Sequence, residues 1–363
     1  MPSISLKQAY KHYGDIRAAD GLDLEVQNGE YLCLLGPTGA GKTTALRIIS
    51  GLIRPDSGSV SFNGTEVTHL EPQDRGAVLL SQTYSLFPQL TVAENILFGP
   101  NIRNMPENEK EHILADMLDL VRLTKRPDAY PRELSGGMQQ RTALARALAS
   151  GAQILLLDEP LRALDARLRI SLRRELRDLA KSLNMTTVHV THDQDEALVM
   201  ADRIAVIREG RIIQTGTPED VFDNPVSPFV ANFVGQSNFL VGEVVSKREE
   251  TTVKGENGNI VLARPCSFAV GEKVVVGVKV GNTEIAKEGE GFFDGVVERI
   301  LFEGRNLHVD VSVEGVGRFH SKVPSWRLGK VAVGDRVKIK WSADKAIVFA
   351  IPEGGLEKEL KVE

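Results

Sequence analysis

The run Gly36-Pro37-Thr38-Gly39-Ala40-Gly41-Lys42-Thr43-Thr44 constrains this chain more than any other stretch of its 363 residues. Its glycines let the backbone curl until successive N–H groups converge, which makes a cradle for phosphate oxygens. Such a cradle needs a buried strand leading in and a helix leading out, because the helix N-terminus adds free N–H groups and the positive end of a dipole. Both flanks fit. Tyr31-Leu32-Cys33-Leu34-Leu35 reads as a buried strand, and TALRIIS, starting at Thr44, reads as a helix. In that setting Lys42 is expected to reach the β- and γ-phosphates of a nucleotide, and the Thr43 hydroxyl to ligate Mg²⁺.

The same alternation continues along the first two thirds of the chain. Ile154-Leu155-Leu156-Leu157 and Thr187-Val188-His189-Val190 are short apolar strands, separated by the charged helical stretch DARLRISLRRELRDLAKSLN. Strands alternating with helices predict an α/β domain with a largely parallel sheet. Residues near 88–150 interrupt the alternation. There ENEKEHILADMLDLVRL sets Ile113, Leu114, Met117, Leu118 and Val121 on one helical face, and MQQRTALARALAS reads as a second helix. This predicts a helical subdomain inserted into the α/β domain. After Asn232 the texture changes to Val-dominated runs with Gly-containing turns, such as EKVVVGVKV and RVKIKW, which predict a small all-β, barrel-like domain. The expected domains are therefore 1–235, with its helical insert at about 88–150, and 236–363.

The strand ending Leu157-Asp158-Glu159 complements the phosphate loop. Asp158 can hold Mg²⁺ directly or through water, and Glu159, pointing differently, can polarise an attacking water. An acidic pair ending a strand can also be a plain solvated loop; the phosphate loop favours the chemical reading. Ser135-Gly136-Gly137 opens a helix and offers a hydroxyl and free N–H groups, a second phosphate-binding helix end.

Composition narrows the partners. Lys and Arg number 44 against 49 Asp and Glu, a net charge of -5, so no global basic field recruits nucleic acid. Residues 241–363 are charge-balanced, which places the negative excess before them. Cys33 and Cys266 are too few for a disulfide framework or a zinc site, and Cys33 is expected to be an inert core thiol. The longest apolar runs fall far short of the roughly 20 residues of a membrane helix. The N-terminus MPSISLKQAY lacks an apolar signal core, so a cytosolic location is expected.

Leu134-Ser135-Gly136-Gly137-Met138-Gln139-Gln140-Arg141, together with the motifs above, resembles the signature of the ATPase subunit of ATP-binding-cassette (ABC) transporters. The resemblance spans nearly the whole chain, with the motifs in the family's order. It implies a P-loop NTPase fold that binds ATP with Mg²⁺ and hydrolyses it. It implies a head-to-tail homodimer, in which ATP lies between one chain's phosphate loop and the other's Ser135, Gly136, Gly137 and Gln139. By the same resemblance Tyr13 stacks on adenine, Gln82 contacts Mg²⁺ and the attacking water, His192 binds the γ-phosphate, and Asp165 links the two sites across the dimer. Glu159 becomes the base of hydrolysis. One departure stands out: Arg162 occupies a position where the family usually has a small residue, often Ser.

A single cassette followed by a β-domain resembles importers that use an extracytoplasmic substrate-binding protein, with an oligonucleotide-binding-like (TOBE) domain at the C-terminus. Gly277-Val278-Lys279-Val280-Gly281 is a degraded form of a motif common there. The resemblance implies two transmembrane permease subunits as separate polypeptides, docked near Gln82, and a peripheral position on the cytoplasmic side of the membrane. The linker Phe233-Val234-Gly235-Gln236-Ser237-Asn238-Phe239 leans toward polyamine, iron or oxyanion importers rather than sugar importers. A non-transport ABC ATPase acting on nucleic acid is the competing class. The chain shows none of that class's long coiled coil, zinc cysteines or basic domain.

Overall fold

The computed structural model describes residues 2–81, 83, 85–162, 164–287, 289–326 and 331–361. The chain divides into two compact units, Met1–Glu219 and Asp220–Glu363.

The first unit is built on a six-stranded sheet. In spatial order its strands are Arg211–Gly216, Arg203–Arg208, Tyr31–Leu35, Thr186–Thr191, Ile154–Asp158 and Ala77–Leu80. All neighbours run parallel except the first pair. Tyr31–Leu35, Ile154–Asp158 and Thr186–Thr191 are buried along their whole length, which explains their unbroken apolar texture. A second, antiparallel sheet comprises Ile16–Val26, Ile4–Tyr13, Ser57–Phe62 and Thr65–Glu66. One core joins them: Leu6, Leu22 and Leu24 of the second sheet, Leu34 and Leu156 of the first, and Leu46, Ile48 and Ile49 of the helix Lys42–Ser50. That helix is thereby clamped at a fixed height above the strand that feeds it.

The inserted helices are Val92–Ile96, Phe98–Ile102, Glu107–Leu120 and Gly136–Ala149, lying in sequence between the strands Ala77–Leu80 and Ile154–Asp158. Met117, Leu118 and Val121 are buried, as the helical periodicity of that stretch requires. The loop leading into the insert is tied by Asn95, which is fully buried. Its Nδ2 donates to the carbonyls of Phe87, Leu90 and Thr91, and its Oδ1 accepts from the Phe87 N–H.

In the second unit two five-stranded antiparallel sheets enclose one core of valines with Phe293, Phe319 and Trp341. The sequence texture grouped residues 220–235 with the first domain, whereas the structure places them in this second unit. Ala231, on the helix Pro228–Gly235, packs with Val275 and Phe349 of the β-strands. No helix among the described residues is long and apolar enough to cross a membrane.

Candidate functional site

Strand register sets the site. In the parallel sheet Leu35 pairs with Thr191, Asp158 with Val190, and Leu80 with Leu157. The segments after Leu35, Asp158 and Thr191 therefore leave from one edge, the carboxyl edge where open α/β sheets bind ligands. Those segments hold the phosphate loop, Glu159 and His192.

The loop is shaped by its glycines. Gly41 has φ +100°, and a Cβ there would fall 2.1 Å from the Ala18 carbonyl oxygen. At Gly36 a Cβ would fall 2.3 Å from the Ile207 carbonyl oxygen. Only glycine lets the turn approach these two backbones. No side chain caps the N-terminus of the helix Lys42–Ser50, so its first N–H groups stay directed at the loop. Within the curl Lys42 Nζ donates to the carbonyls of Gly36 and Pro37, both at 2.7 Å. Burial holds its pKa below the usual lysine value, with Glu159 and Asp158 opposing that shift. Pro37, Thr38, Gly39 and Ala40 form the turn, and Ala40 N–H donates to the Pro37 carbonyl at 3.2 Å.

Asp158 and Glu159 differ sharply for neighbours. Asp158 is buried and accepts from Thr43 Oγ1, at 3.0 and 3.2 Å to its two oxygens. Burial raises its pKa, and the Thr43 hydroxyl, Arg47 and Lys42 only partly offset that. Glu159 sits at φ +50°, its N–H donating to the Val190 carbonyl at 3.0 Å. Its Oε1 accepts from His192 Nδ1 at 3.1 Å and its Oε2 from Arg162 Nη1 at 2.8 Å. Burial pushes the Glu159 carboxyl up, but His192 and Arg162 together hold it below the usual range. Consecutive carboxylates are thus driven in opposite directions, a pattern typical of sites that divide chemical roles.

The oxygen donors at Thr43 and Asp158 suit a hard divalent cation. Among the described residues no three His, Cys, Asp or Glu side chains converge as a metal cage. A cation held there would draw its remaining ligands from water and substrate, as Mg²⁺ does at phosphate sites.

The other expected residues stand in separate elements. Ser135 caps the helix Gly136–Ala149, its Oγ accepting from the Met138 N–H at 3.4 Å, and Gly136 and Gly137 form that helix's first turn. Gln139 Nε2 donates to the Pro131 and Leu134 carbonyls, tying down the preceding loop. Asp165 caps the helix Ala166–Ser182 by accepting from the Leu168 N–H at 3.0 Å. Tyr13 ends its strand half exposed, with Lys11 Nζ 5.9 Å from the ring centre. Gln82 lies outside the described residues.

Three supporting contacts are not marked in the sequence, although Arg162 itself stands out there. Arg75 is buried, and its guanidinium donates to the Ile48 and Ile49 carbonyls at the end of the phosphate-loop helix. Thr191 Oγ1 donates to buried Glu196 and accepts from the Asp193 N–H, which fixes the segment carrying His192. Arg162 pairs with Glu159 inside the chain, three residues away. Cys33 is buried and its thiol is pushed up by that burial, matching an inert core role.

Comparison with known proteins accords with this geometry. Residues 19–162 match the ABC transporter family and residues 271–349 the TOBE domain. The chain is 37% identical over 349 residues to the spermidine/putrescine import ATP-binding protein PotA of Ruegeria pomeroyi, covering 95% of each chain. It is 47% identical over 267 residues to the sulfate/thiosulfate import ATP-binding protein CysA 2 of Shewanella oneidensis, covering 72% of this chain and 74% of that one. A solved dimeric post-hydrolysis state of the ATP-binding cassette MJ0796, bound to ADP and Pi, superposes with a TM-score of 0.54 at 30% identity. That superposition covers 59% of this chain and 98% of the other. The chain therefore belongs to the ATP-binding subunits of importer-type ABC transporters that carry a C-terminal TOBE domain.

Proposed function

We propose that ATP is bound and hydrolysed at the edge formed by the phosphate loop, Asp158, Glu159 and His192, with Mg²⁺ held by Thr43 and Asp158. The observation that carries this reading is the register of the parallel strands, which brings Thr43 to Asp158 and His192 to Glu159. The N–H groups of the loop Gly36–Thr44, to which Pro37 contributes none, and the helix N-terminus bind the phosphates. Lys42 exchanges its two carbonyl acceptors for phosphate oxygens and counters the charge that develops in phosphoryl transfer. Mg²⁺, when bound, neutralises charge on the terminal phosphate oxygens. Glu159, the carboxylate held ionised, orients the attacking water with Gln82, and His192 turns to the γ-phosphate. Tyr13 supplies the face for adenine. Ser135, Gly136, Gly137 and Gln139 of a second copy close over the nucleotide, with Asp165 spanning the two sites.

Glu159→Gln tests the assignment. It is expected to keep ATP binding, to lose nearly all hydrolysis, and to form an ATP-stabilised dimer visible in size-exclusion chromatography with Mg-ATP. A persistent monomer, or hydrolysis at the parental rate, overturns it.

The closing and opening of that dimer would drive two permease subunits served by an extracytoplasmic binding protein, with the chain peripheral on the cytoplasmic side. A recess of about 220 Å³ lined by Leu80, Ser85, Phe87, Phe98 and Arg146 supports docking of a permease segment there. For the cargo we favour a polyamine. The spermidine/putrescine relatives match over 86–95% of this chain, while the sulfate/thiosulfate relatives match over 68–72%. The polyamine matches thus take in more of the chain as a whole. The second reading, an oxyanion, is favoured by the higher identity of the sulfate/thiosulfate matches, 47–48%. ATP-driven uptake of labelled spermidine against labelled sulfate, in vesicles holding this chain and its co-purified permease, decides between them.

A further inference from the structure

Glu159 is fixed along its backbone and held at both ends of its carboxylate. Its φ of +50° and the hydrogen bond from its N–H to the Val190 carbonyl leave only side-chain rotation to re-aim the group. Both oxygens are engaged, one by His192 and one by Arg162. The turn that carries Arg162 is itself pinned. The Arg162 N–H donates to the Glu159 carbonyl at 3.3 Å, and Arg169 Nη2 donates to the carbonyls of Arg162 and Leu164 at 3.3 and 3.0 Å.

The pair is asymmetric: the Glu159 side chain is 11% exposed and that of Arg162 is 64% exposed. Arg162 can swing into solvent without moving the backbone, whereas the Glu159 side chain is largely enclosed. The contact depends on the length of the arginine side chain, whose Nη1 reaches Glu159 Oε2 at 2.8 Å. We propose that Arg162 is a positioning residue that restrains the Glu159 carboxylate, so that hydrolysis waits on Arg162 leaving it. This rests on the reading of Glu159 as the group that orients the attacking water. With one partner mostly in solvent the restraint is modest, biasing the carboxylate by a factor of about two to five.

Steady-state Mg-ATPase of the purified full chain, over a range of ATP and protein concentrations, tests the restraint. Arg162→Ser is expected to raise the plateau kcat about two- to fivefold with KM for ATP unchanged. Arg162→Lys, which keeps the charge but loses the fork, falls between the two. If the serine variant does not fold, Arg162→Gln takes its place with the same expectation. An unchanged or lower plateau overturns the restraint, as does a rise seen only at low protein concentration, which assigns Arg162 to contact between chains. Glu159→Gln in the same series separates the two ideas. If it is inactive while the Arg162 variants match the parent, the reading of Glu159 stands and the restraint falls. If it retains the parental rate, both fall.

Discussion

Thr43 Oγ1 donates to Asp158, joining the first turn of the phosphate-loop helix to the end of the strand Ile154–Asp158. Both ends of that contact are oxygen ligands suited to Mg²⁺, and the hydrogen bond holds them side by side. Thr43→Val keeps the shape and removes the hydroxyl. It leaves a buried carboxylate short of a donor, at a cost of about 1–2 kcal/mol in urea unfolding of the nucleotide-free chain. The Mg²⁺ concentration for half-maximal ATPase is expected to rise about tenfold, reflecting one lost ligand of roughly 1.4 kcal/mol. An unchanged Mg²⁺ requirement would remove Thr43 from the metal site.

The loop glycines are not equivalent. A Cβ at Gly41 meets the Ala18 carbonyl oxygen at 2.1 Å, while one at Gly39 meets nothing within 4 Å. Both have positive φ, +100° and +79°. Gly39→Ala therefore pays only for its backbone conformation, about 1 kcal/mol, and still folds and binds ATP. Gly41→Ala must also displace the Ala18 backbone. It is expected to lower ATP affinity by at least tenfold, on the order of 1.4 kcal/mol or more. Equilibrium titration with a fluorescent ATP analogue compares the two, and equal affinities would contradict the close approach.

Much of the chemistry was legible because it rests on short local patterns. The phosphate loop needs glycines at set spacing between a strand and a helix, and the strand ending in Asp158 and Glu159 is an apolar run with an acidic stop. These motifs specify backbone shape, and the sheet then aligns their ends. What was not legible comes from long side chains that reach across sequence. Nothing around Arg75 in the text of the chain marks it as the cap of a helix 25 residues earlier, because the Arg75 contacts depend on where Gly51 turns the backbone. The partner of Arg162 was equally hidden: a positive φ at Glu159 folds the turn back so that the two side chains meet. The segment 220–235 reads by texture as a continuation of the first domain, since an apolar helix such as Pro228–Gly235 reads the same whichever sheet it covers.

Arg75 gives a test of that hidden support. Its Nη1 donates to the Ile48 and Ile49 carbonyls at 2.8 and 2.9 Å, Nη2 to Thr68 at 2.9 Å, and Nε to Leu70 at 3.1 Å. A cation at the negative end of the helix Lys42–Ser50 satisfies carbonyls that the helix leaves open. Arg75→Met fills similar volume but strands those acceptors. The expected loss is about 3 kcal/mol in urea unfolding, with ATP affinity changing less than for Gly41→Ala because the loop itself is untouched. A loss below about 0.5 kcal/mol, the scale of an ordinary surface change, would show that water replaces the guanidinium without cost.

In the second unit Asp310 lies between Arg299 and His320, its direct cross-strand partners on either side. Arg299 Nε and Nη2 donate to Oδ2 at 2.8 and 2.6 Å, and His320 Nδ1 donates to Oδ1 at 2.7 Å. Burial pushes the Asp310 carboxyl up, but the two donors outweigh it and hold its pKa below the usual value. The folded state then binds this proton less readily than the unfolded chain does. Its contribution to stability is complete above about pH 4, the ordinary Asp range, and is lost as pH falls through the depressed native value. Both tryptophans, Trp326 and Trp341, belong to this unit, and Trp341 is buried in its core, so intrinsic fluorescence reports its unfolding in the full chain. Asp310→Asn cannot ionise and keeps only part of the hydrogen bonding. Its urea midpoint at pH 7 should fall by the equivalent of about 2 kcal/mol, and its stability should decline less steeply than the parent's between pH 4 and pH 2. Parallel acid limbs in the two proteins would mean that the Arg299–Asp310–His320 ladder carries no proton-linked stability.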